Sequence, residues 1–319
     1  MSIKDKKIII TGGCGYVGSK LVNCLKKEYT NIINIDNQWF GNPLKENQFL
    51  TNIKGDIRDI DKYENYFDDA NTVIHLANIA NDPSVDLDPV LSWEVNVLSS
   101  YKIASLSKKK GVKKFIYASS GSVYGIKTED QVTEDLSLEP ISTYNKTKMI
   151  AERVFMSFKD DMIINCIRPA TVCGLSPRMR FDVAVNMLTY QSILNKKITV
   201  FGGEQVRPNI HINDLVSVYE FFIKNDIESG CYNAGFENMS ILEIAKLIKN
   251  LNNSEIEISE SNDPRSYRIS SKKIIDLGFN PKFSVSDAIN EISKKIKEDK
   301  SIISPSCFTV DWMKKNNLR

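Results

Sequence analysis

Histidine is nearly absent: the chain has two, His75 and His211, and neither stands in a setting that pairs it with a nucleophile. That argues against a Ser-His-Asp hydrolase. The six cysteines (Cys14, Cys24, Cys166, Cys173, Cys231 and Cys307) form no Cys-x-x-Cys pair. With so little histidine, a zinc cluster is excluded as well. Scattered thiols in a chain of 319 residues are expected to stay reduced. An excess of charge of one sign is also missing, with 42 basic against 40 acidic side chains. Neither nucleic acid nor an anionic membrane is therefore an expected partner. No apolar run reaches the roughly 18 residues that span a bilayer. Near the start, a short Ile8-Ile9-Ile10 runs into glycines instead of a signal-peptide core. The expectation is a soluble, cytoplasmic protein.

What is present is an ordinary globular mix, 42% apolar and 26% charged, long enough for two domains. Strand-like runs at 7–11, 32–36, 72–76, 115–118 and 163–168 alternate with helix-like segments at 19–27, 93–109 and 144–158. That alternation predicts right-handed βαβ units and an α/β fold with a doubly wound parallel sheet. After Pro169 the pattern loosens, with loops between helices expected at 181–194, 212–224, 241–251 and 285–297. The predicted division is a dinucleotide-binding domain over 1–169, with a chain return near 205–235. A smaller α+β substrate domain follows over 170–319. The charged run 294–300 reads as a solvated helix end.

The first motif follows the first strand. Gly12-Gly13-Cys14-Gly15-Tyr16-Val17-Gly18 gives Gly-x-x-Gly-x-x-Gly between a buried strand and a helix. Such a loop supplies a tight turn, bare backbone for a pyrophosphate, and helix N–H groups facing the anion, here from Tyr16 and Val17. Asp36 ends the second strand, where a carboxylate accepts from both adenosine ribose hydroxyls and repels a 2′-phosphate. NAD is favoured over NADP. After a third short strand, Asp56-Ile57 fits an acid reaching the adenine edge, and a polar loop cap fits equally well.

The second motif is Tyr144-Asn145-Lys146-Thr147-Lys148, which puts Tyr144 and Lys148 on one helix face. Ser119-Ser120-Gly121-Ser122 follows a strand, so its hydroxyls fall at the carboxyl edge of the sheet. A phenol is a poor base at its ordinary pKa of about 10. An ammonium one turn away, with a cationic nicotinamide, is expected to lower that value. Ser120 can hydrogen-bond the same substrate hydroxyl. Ser120, Tyr144 and Lys148 together read as a general acid/base matched to hydride transfer at an alcohol carbon.

At these residues the chain resembles the extended short-chain dehydrogenase/reductase family of nucleotide-sugar epimerases and dehydratases. The resemblance also rests on His75-Leu76-Ala77, Asn96-Val97, Arg168-Pro169 and Val200-Phe201-Gly202, then on Arg207-Pro208-Asn209-Ile210-His211-Ile212-Asn213-Asp214 and Asp263-Pro264-Arg265. It implies a Rossmann-type NAD domain with Leu76, Ala77 and Asn96 near the cofactor, and a C-terminal domain that grips a nucleoside diphosphate sugar. It also implies oxidation at the sugar C4 by Ser120, Tyr144 and Lys148. Ser122, Thr171, Arg207 and Arg265 become substrate-side candidates. A homodimer is implied too, through the helices at 93–109 and 144–158, whose apolar faces carry Val97, Ile103 and Leu106, and Met149, Ile150 and Val154.

The strand end narrows the reaction. The 4,6-dehydratases carry Thr-Asp-Glu where this chain reads Ser120-Gly121-Ser122, and the decarboxylases have a glutamate at the position of Ser122. Ser-Gly-Ser-Val-Tyr-Gly is similar to the Ser-Ala-Thr-Val-Tyr-Gly of 4-epimerases, which need only Ser, Tyr and Lys. The run from Pro169 to Asp182 departs from the familiar 4-epimerases. It resembles a branch from surface-polysaccharide clusters that includes 4-dehydrogenases of nucleotide-linked heptoses, where Arg178 or Arg180 takes a phosphate. The reading is a NAD-dependent nucleotide-sugar C4 epimerase. A 4-dehydrogenase or 4-ketoreductase is the alternative, and a non-catalytic dinucleotide-binding relative the third.

Overall fold

The computed structural model describes residues 3–260 and 266–318. Isoleucine-rich runs with few polar interruptions form strands buried on both faces, as parallel sheets require. β1 (Lys7–Thr11), β2 (Ile32–Asp36), β3 (Leu50–Lys54), β4 (Ala70–His75), β5 (Lys114–Ala118) and β6 (Ile163–Pro169) come first. The short β7 (Thr171–Cys173), β8 (Lys197–Phe201) and β9 (Val206–His211) follow, then β10 (Gly230–Ala234), β11 (Glu237–Ser240) and β12 (Glu255–Ser259).

Seven of these make one parallel sheet in the order β10-β6-β5-β4-β1-β2-β3. The strand order reverses between β1 and β4, and the crevice beyond their carboxyl ends is where such sheets bind ligands. The Tyr16–Leu25 and Ile212–Lys224 helices cover one face through Leu21, Val22, Leu215 and Phe222. The Ser99–Lys109 and Thr143–Met156 helices cover the other through Ile103, Leu106, Ala151 and Phe155. After β9 the chain returns to the large sheet through the Ile212–Lys224 helix and β10. The remaining strands form a three-stranded sheet, β11-β9-β7, and a β12-β8 pair. These pack with the Ala184–Leu194, Ile241–Asn252 and Val285–Glu298 helices around Val185, Leu188, Ile244 and Ile289.

The expected parallel sheet is present, with local differences. The first helix begins at Tyr16 and not at 19, because the glycine loop leads straight into its first turn. The segment at 93–109 is interrupted by a π-helical turn at Glu94–Leu98. Inside that turn Asn96 points inward, accepting from the Ile79 N–H at 2.8 Å and donating to the Ile79 carbonyl at 3.1 Å. Such turns often mark functional positions. The helix expected from 181 starts at Ala184, after a turn held by the Arg180–Asp182 ion pair. Among the described residues, no helix is long and apolar enough to cross a membrane. No cluster of three or more metal-ligating side chains is found among them either.

Candidate active site

The site grows out of the glycine loop. Gly12 has φ +81°, and a Cβ there would lie 2.5 Å from the Ala77 backbone nitrogen. A Cβ on Gly18 would run into the Gly12 carbonyl. Only glycine allows this turn and this helix-to-strand packing. No side chain caps the Tyr16–Leu25 helix at Gly15, so its first N–H groups are left for an anion. At the end of β2, Asp36 accepts from the Cys14 N–H at 2.8 Å and the Gln38 N–H at 2.7 Å. Burial pushes its carboxyl above the ordinary value, against those bonds. Loop, uncapped helix and buried acid fit the pyrophosphate and ribose of a dinucleotide.

A cavity of about 570 Å³ runs from this loop to the second motif. Ser120 leaves β5 in extended conformation, and its Oγ lies 2.8 Å from Ser122 Oγ. Tyr144 sits in the first turn of the Thr143–Met156 helix, which Ser142 caps by accepting from the Asn145 N–H at 3.2 Å. Ser142 also donates to Asp82 at 2.6 Å. One turn on, Lys148 is buried; its Nζ donates to the Ala118 carbonyl at 2.7 Å. That nitrogen lies 4.9 Å from the Tyr117 ring centroid and 5.9 Å from that of Tyr144.

The electrostatics differ from the expected simple lowering of the phenol. Burial pushes Tyr144 up to about 12, with a Ser120 hydrogen bond and the Arg180 charge pulling the other way. Burial pushes Lys148 down to about 7, against the favourable charge of Glu152. For each group, desolvation is the largest cause of its shift.

Gly12, Gly15, Tyr16, Val17 and Leu76 line the cavity on the loop side; Ser120, Ser122, Tyr144, Lys148 and Thr171 line it on the other. Arg178, Arg180 and Arg207 line it as well. The Tyr16 hydroxyl is committed elsewhere, donating to the Gly174 carbonyl at 2.7 Å and accepting from Asn186 at 3.0 Å. Asp56 holds Arg58 in a two-pronged pair, Ile57 is a core residue, and neither is in the cavity wall. Ala77 and Asn96 also stand behind the wall; Asn96 positions the 79 loop and donates to Thr147 Oγ1 at 3.2 Å. Arg265 lies outside the described residues.

Sequence reasoning missed Asp82, and Thr309 and Met313 from the short Thr309–Asn316 helix. Asp82 had a readable signal, Asn81-Asp82-Pro83, in which Asn81 takes φ +72° and caps the next turn. The C-terminal helix had none, being short and polar. His75 is buried between strands, its Nδ1 2.6 Å from Thr11 Oγ1, and burial pushes it down to about 3.

Residues 8–235 match the model of the NAD dependent epimerase/dehydratase family. The chain belongs to that family. NAD is accordingly its cofactor, and an enzyme of nucleotide-sugar chemistry its class. Among its relatives, this epimerase/dehydratase chain is 29% identical to dTDP-D-glucose 4,6-dehydratase of Bos taurus, over 92% of this chain and 89% of that protein. It is 25% identical to UDP-glucuronic acid decarboxylase 1 of Danio rerio, over 91% and 73%. Its fold is similar to the UDP-N-acetylglucosamine 4-epimerase of Methanobrevibacter ruminantium M1 in complex with UDP-N-acetylmuramic acid. There the TM-score is 0.85 and the identity 25%, over 92% of this chain and 99% of that one. Three reactions are represented at similar identity, so membership alone does not choose between them.

Proposed function

We propose that this chain is a NAD-dependent nucleotide-sugar C4 epimerase acting through a 4-keto sugar. The observation that carries the reading is the strand end after β5. There Ser120, Tyr144 and Lys148 share one end of the cavity, while Gly121 and Ser122 put no carboxylate beside them. Dehydration needs an acid and a base next to C6, and decarboxylating relatives use a glutamate at 122; positions 121 and 122 supply neither here, and the cavity carboxylate whose charge reaches Tyr144, Asp82, accepts from Ser142.

NAD, when bound, supplies the hydride acceptor and donor. Tyr144 takes the O4 proton as the C4 hydrogen leaves with its electron pair, and Ser120 orients the hydroxyl. Lys148, held by the Ala118 carbonyl, supplies positive charge below the phenolate. Return of the hydride to the other face of the rotated ketosugar, and of the proton from Tyr144, gives the C4 epimer. The substrate is a nucleoside diphosphate sugar, with the cavity residues Ser122, Thr171, Arg180 and Arg207 on its side.

The path from Pro169 to Asp182, which brings Thr171, Arg180 and Asp182 to the cavity, supports a second reading. In that reading the hydride leaves and a 4-ketosugar is the product, as in a heptose 4-dehydrogenase, or the reverse reaction runs. The deciding experiment incubates the protein with UDP-, GDP-, CDP- and dTDP-sugars and reads products by NMR and mass spectrometry. An isomer supports epimerisation, and a product lighter by two hydrogens the second reading. A product lighter by one water overturns both.

A cytoplasmic homodimer is part of the same reading. Ile103 and Leu106 are buried against the large sheet and cannot form its surface. Val90, Trp93, Leu98 and Tyr101 are exposed apolar residues of that region, at 70%, 38%, 60% and 58%. A monomer in sedimentation at micromolar concentration would rule the dimer out.

A further inference from the structure

Cys166 on β6 and Cys231 on β10 face each other in direct register, and two positions on Arg168 and Asn233 do the same. Residues two apart on a strand share a face, so both pairs lie on one side of the sheet. β10 is the edge strand. Both thiols are free and belong to the apolar cluster under the Thr143–Met156 helix. Cys166 is fully buried and Cys231 half-buried. Cys231 Sγ donates to Glu152 Oε2 at 3.8 Å, the same oxygen that accepts from Arg168 Nη2 at 2.8 Å. Lys273 adds a positive charge beside Cys231, its Nζ donating to the Cys231 carbonyl at 2.9 Å.

Neither sulfur lines the cavity, and the proposed reaction uses neither. Adjacent strands hold facing Cα atoms roughly 4.8 Å apart, within the span of a disulfide. The two thiols are not equivalent. A hydrogen bond from the Cys166 thiol pulls Cys231 below the ordinary thiol value, against burial and the Glu152 charge. That bond and burial hold Cys166 well above it. A partly accessible thiol of lowered pKa beside a resolving thiol is the arrangement that oxidants select. We propose that Cys166 and Cys231 form a reversible dithiol site, which a peroxide closes into a disulfide and so loosens the Glu152–Arg168 support of the helix carrying Tyr144 and Lys148.

The Cys231 thiolate attacks one peroxide oxygen; the S–O bond forms, the O–O bond breaks, and the leaving hydroxide takes up the thiol's proton as water. Cys166 then attacks the sulfenic sulfur, and its own proton goes to the departing hydroxide, leaving the S–S bond and a second water. Two electrons pass from the sulfurs to one peroxide. A dithiol reductant reverses the bridge by exchange. Closure removes the S–H that Glu152 accepts and draws the edge strand toward β6. Asn233 moves with that strand, and it accepts from the Tyr124 hydroxyl, to which Arg168 donates.

The test treats the full chain with graded hydrogen peroxide, removes the excess, and reads peptide masses and amide hydrogen exchange. A linked Cys166–Cys231 peptide pair, lighter by two hydrogens, should appear. Amides of the Thr143–Met156 helix should exchange faster. Turnover of the nucleotide sugar that the wild type converts should fall roughly tenfold, since a displacement of about 1 Å in a catalytic group costs up to about a hundredfold. Dithiothreitol should reverse all three. Cys231→Ser keeps a donor for Glu152 and should resist all three; the wild-type masses and exchange need no variant if the serine chain does not fold. The inference is overturned by oxidation of other thiols without the linked pair, by the linked pair with unchanged exchange, or by equal loss of turnover in Cys231→Ser. A wild type that converts no nucleotide sugar removes the proposed function instead, and masses and exchange still decide the dithiol site.

Discussion

Glu152 and Arg168 meet as a buried two-pronged pair, Arg168 Nε donating to Oε1 at 2.9 Å and Nη2 to Oε2 at 2.8 Å. Glu152 stands one helical turn beyond Lys148 and two beyond Tyr144; Arg168 lies in β6, one residue before its end. Arg168 also donates to the Tyr124 hydroxyl at 2.7 Å, which donates to Asn233 at 2.7 Å. The pair thus ties the helix carrying the phenol to the strand next to the one that leads into Ser120. Breaking it from one side leaves an uncompensated buried charge. Glu152→Gln or Arg168→Met alone should cost roughly 3–5 kcal/mol of stability in denaturant unfolding. The double replacement by methionine should cost less than the sum of the two. Single-variant losses below about 1 kcal/mol, the exposed-pair range, would show that the pair does not hold the helix.

Tyr144 is the proton carrier of the proposed reaction, so Tyr144→Phe removes the proton acceptor while leaving the ring. Turnover should fall at least about a hundredfold, the usual scale of general acid/base catalysis. NAD affinity should change little, because the glycine loop and Asp36 are untouched. Near-normal turnover would sink the assignment.

The parallel sheet was legible because strands buried on both faces are written as apolar runs such as Ile8-Ile9-Ile10, with no competing pattern. Ser120, Tyr144 and Lys148 were legible as a set because a strand end and one helix turn fix their spacing locally. Asp56 was ambiguous in sequence, since a ligand and a cap look alike there; its carboxylate caps the Ile57–Phe67 turn by accepting from the Arg58 N–H at 2.8 Å and also pairs with the Arg58 guanidinium. Arg178 and Arg180 were indistinguishable for a different reason. Arg178 packs against Phe40 and donates to Thr309, more than a hundred positions away in either direction, while Arg180 pairs with Asp182, and no local spacing encodes that difference. The burial that shifts Tyr144 and Lys148 is likewise a property of the assembled cavity.

Asp36 should set cofactor choice. One of its oxygens accepts from the Cys14 N–H of the glycine loop and the other from the Gln38 N–H just past β2, so the carboxylate is fixed in place at the end of that strand. Asp36→Asn keeps the size, removes the charge, and places an NH2 where one of two acceptors stood. NAD binding should weaken, and the gap to NADP should narrow as repulsion of the 2′-phosphate disappears. Titrating both dinucleotides against both proteins checks this. A wild type that already prefers NADP contradicts the role given to Asp36.

Lys148 couples function to stability through its buried ammonium. Its folded value, about 7, lies below the ordinary 10.5, so between those values the unfolded chain binds a proton that the folded one does not. Stability therefore rises with pH across that window, and the full penalty is felt below about pH 7. Lys148→Met removes the group and the penalty with it. The ligand-free variant should melt at a higher temperature than wild type near neutrality, and the difference should shrink as the pH approaches the ordinary lysine value. Any residual turnover should show a basic pKa shifted upward, because the phenolate has lost its neighbouring cation. A melting difference that is independent of pH would mean that Lys148 is already solvated or paired in the folded protein. Lys148 would then keep its proton at neutral pH, and the cation would serve the phenolate without that cost.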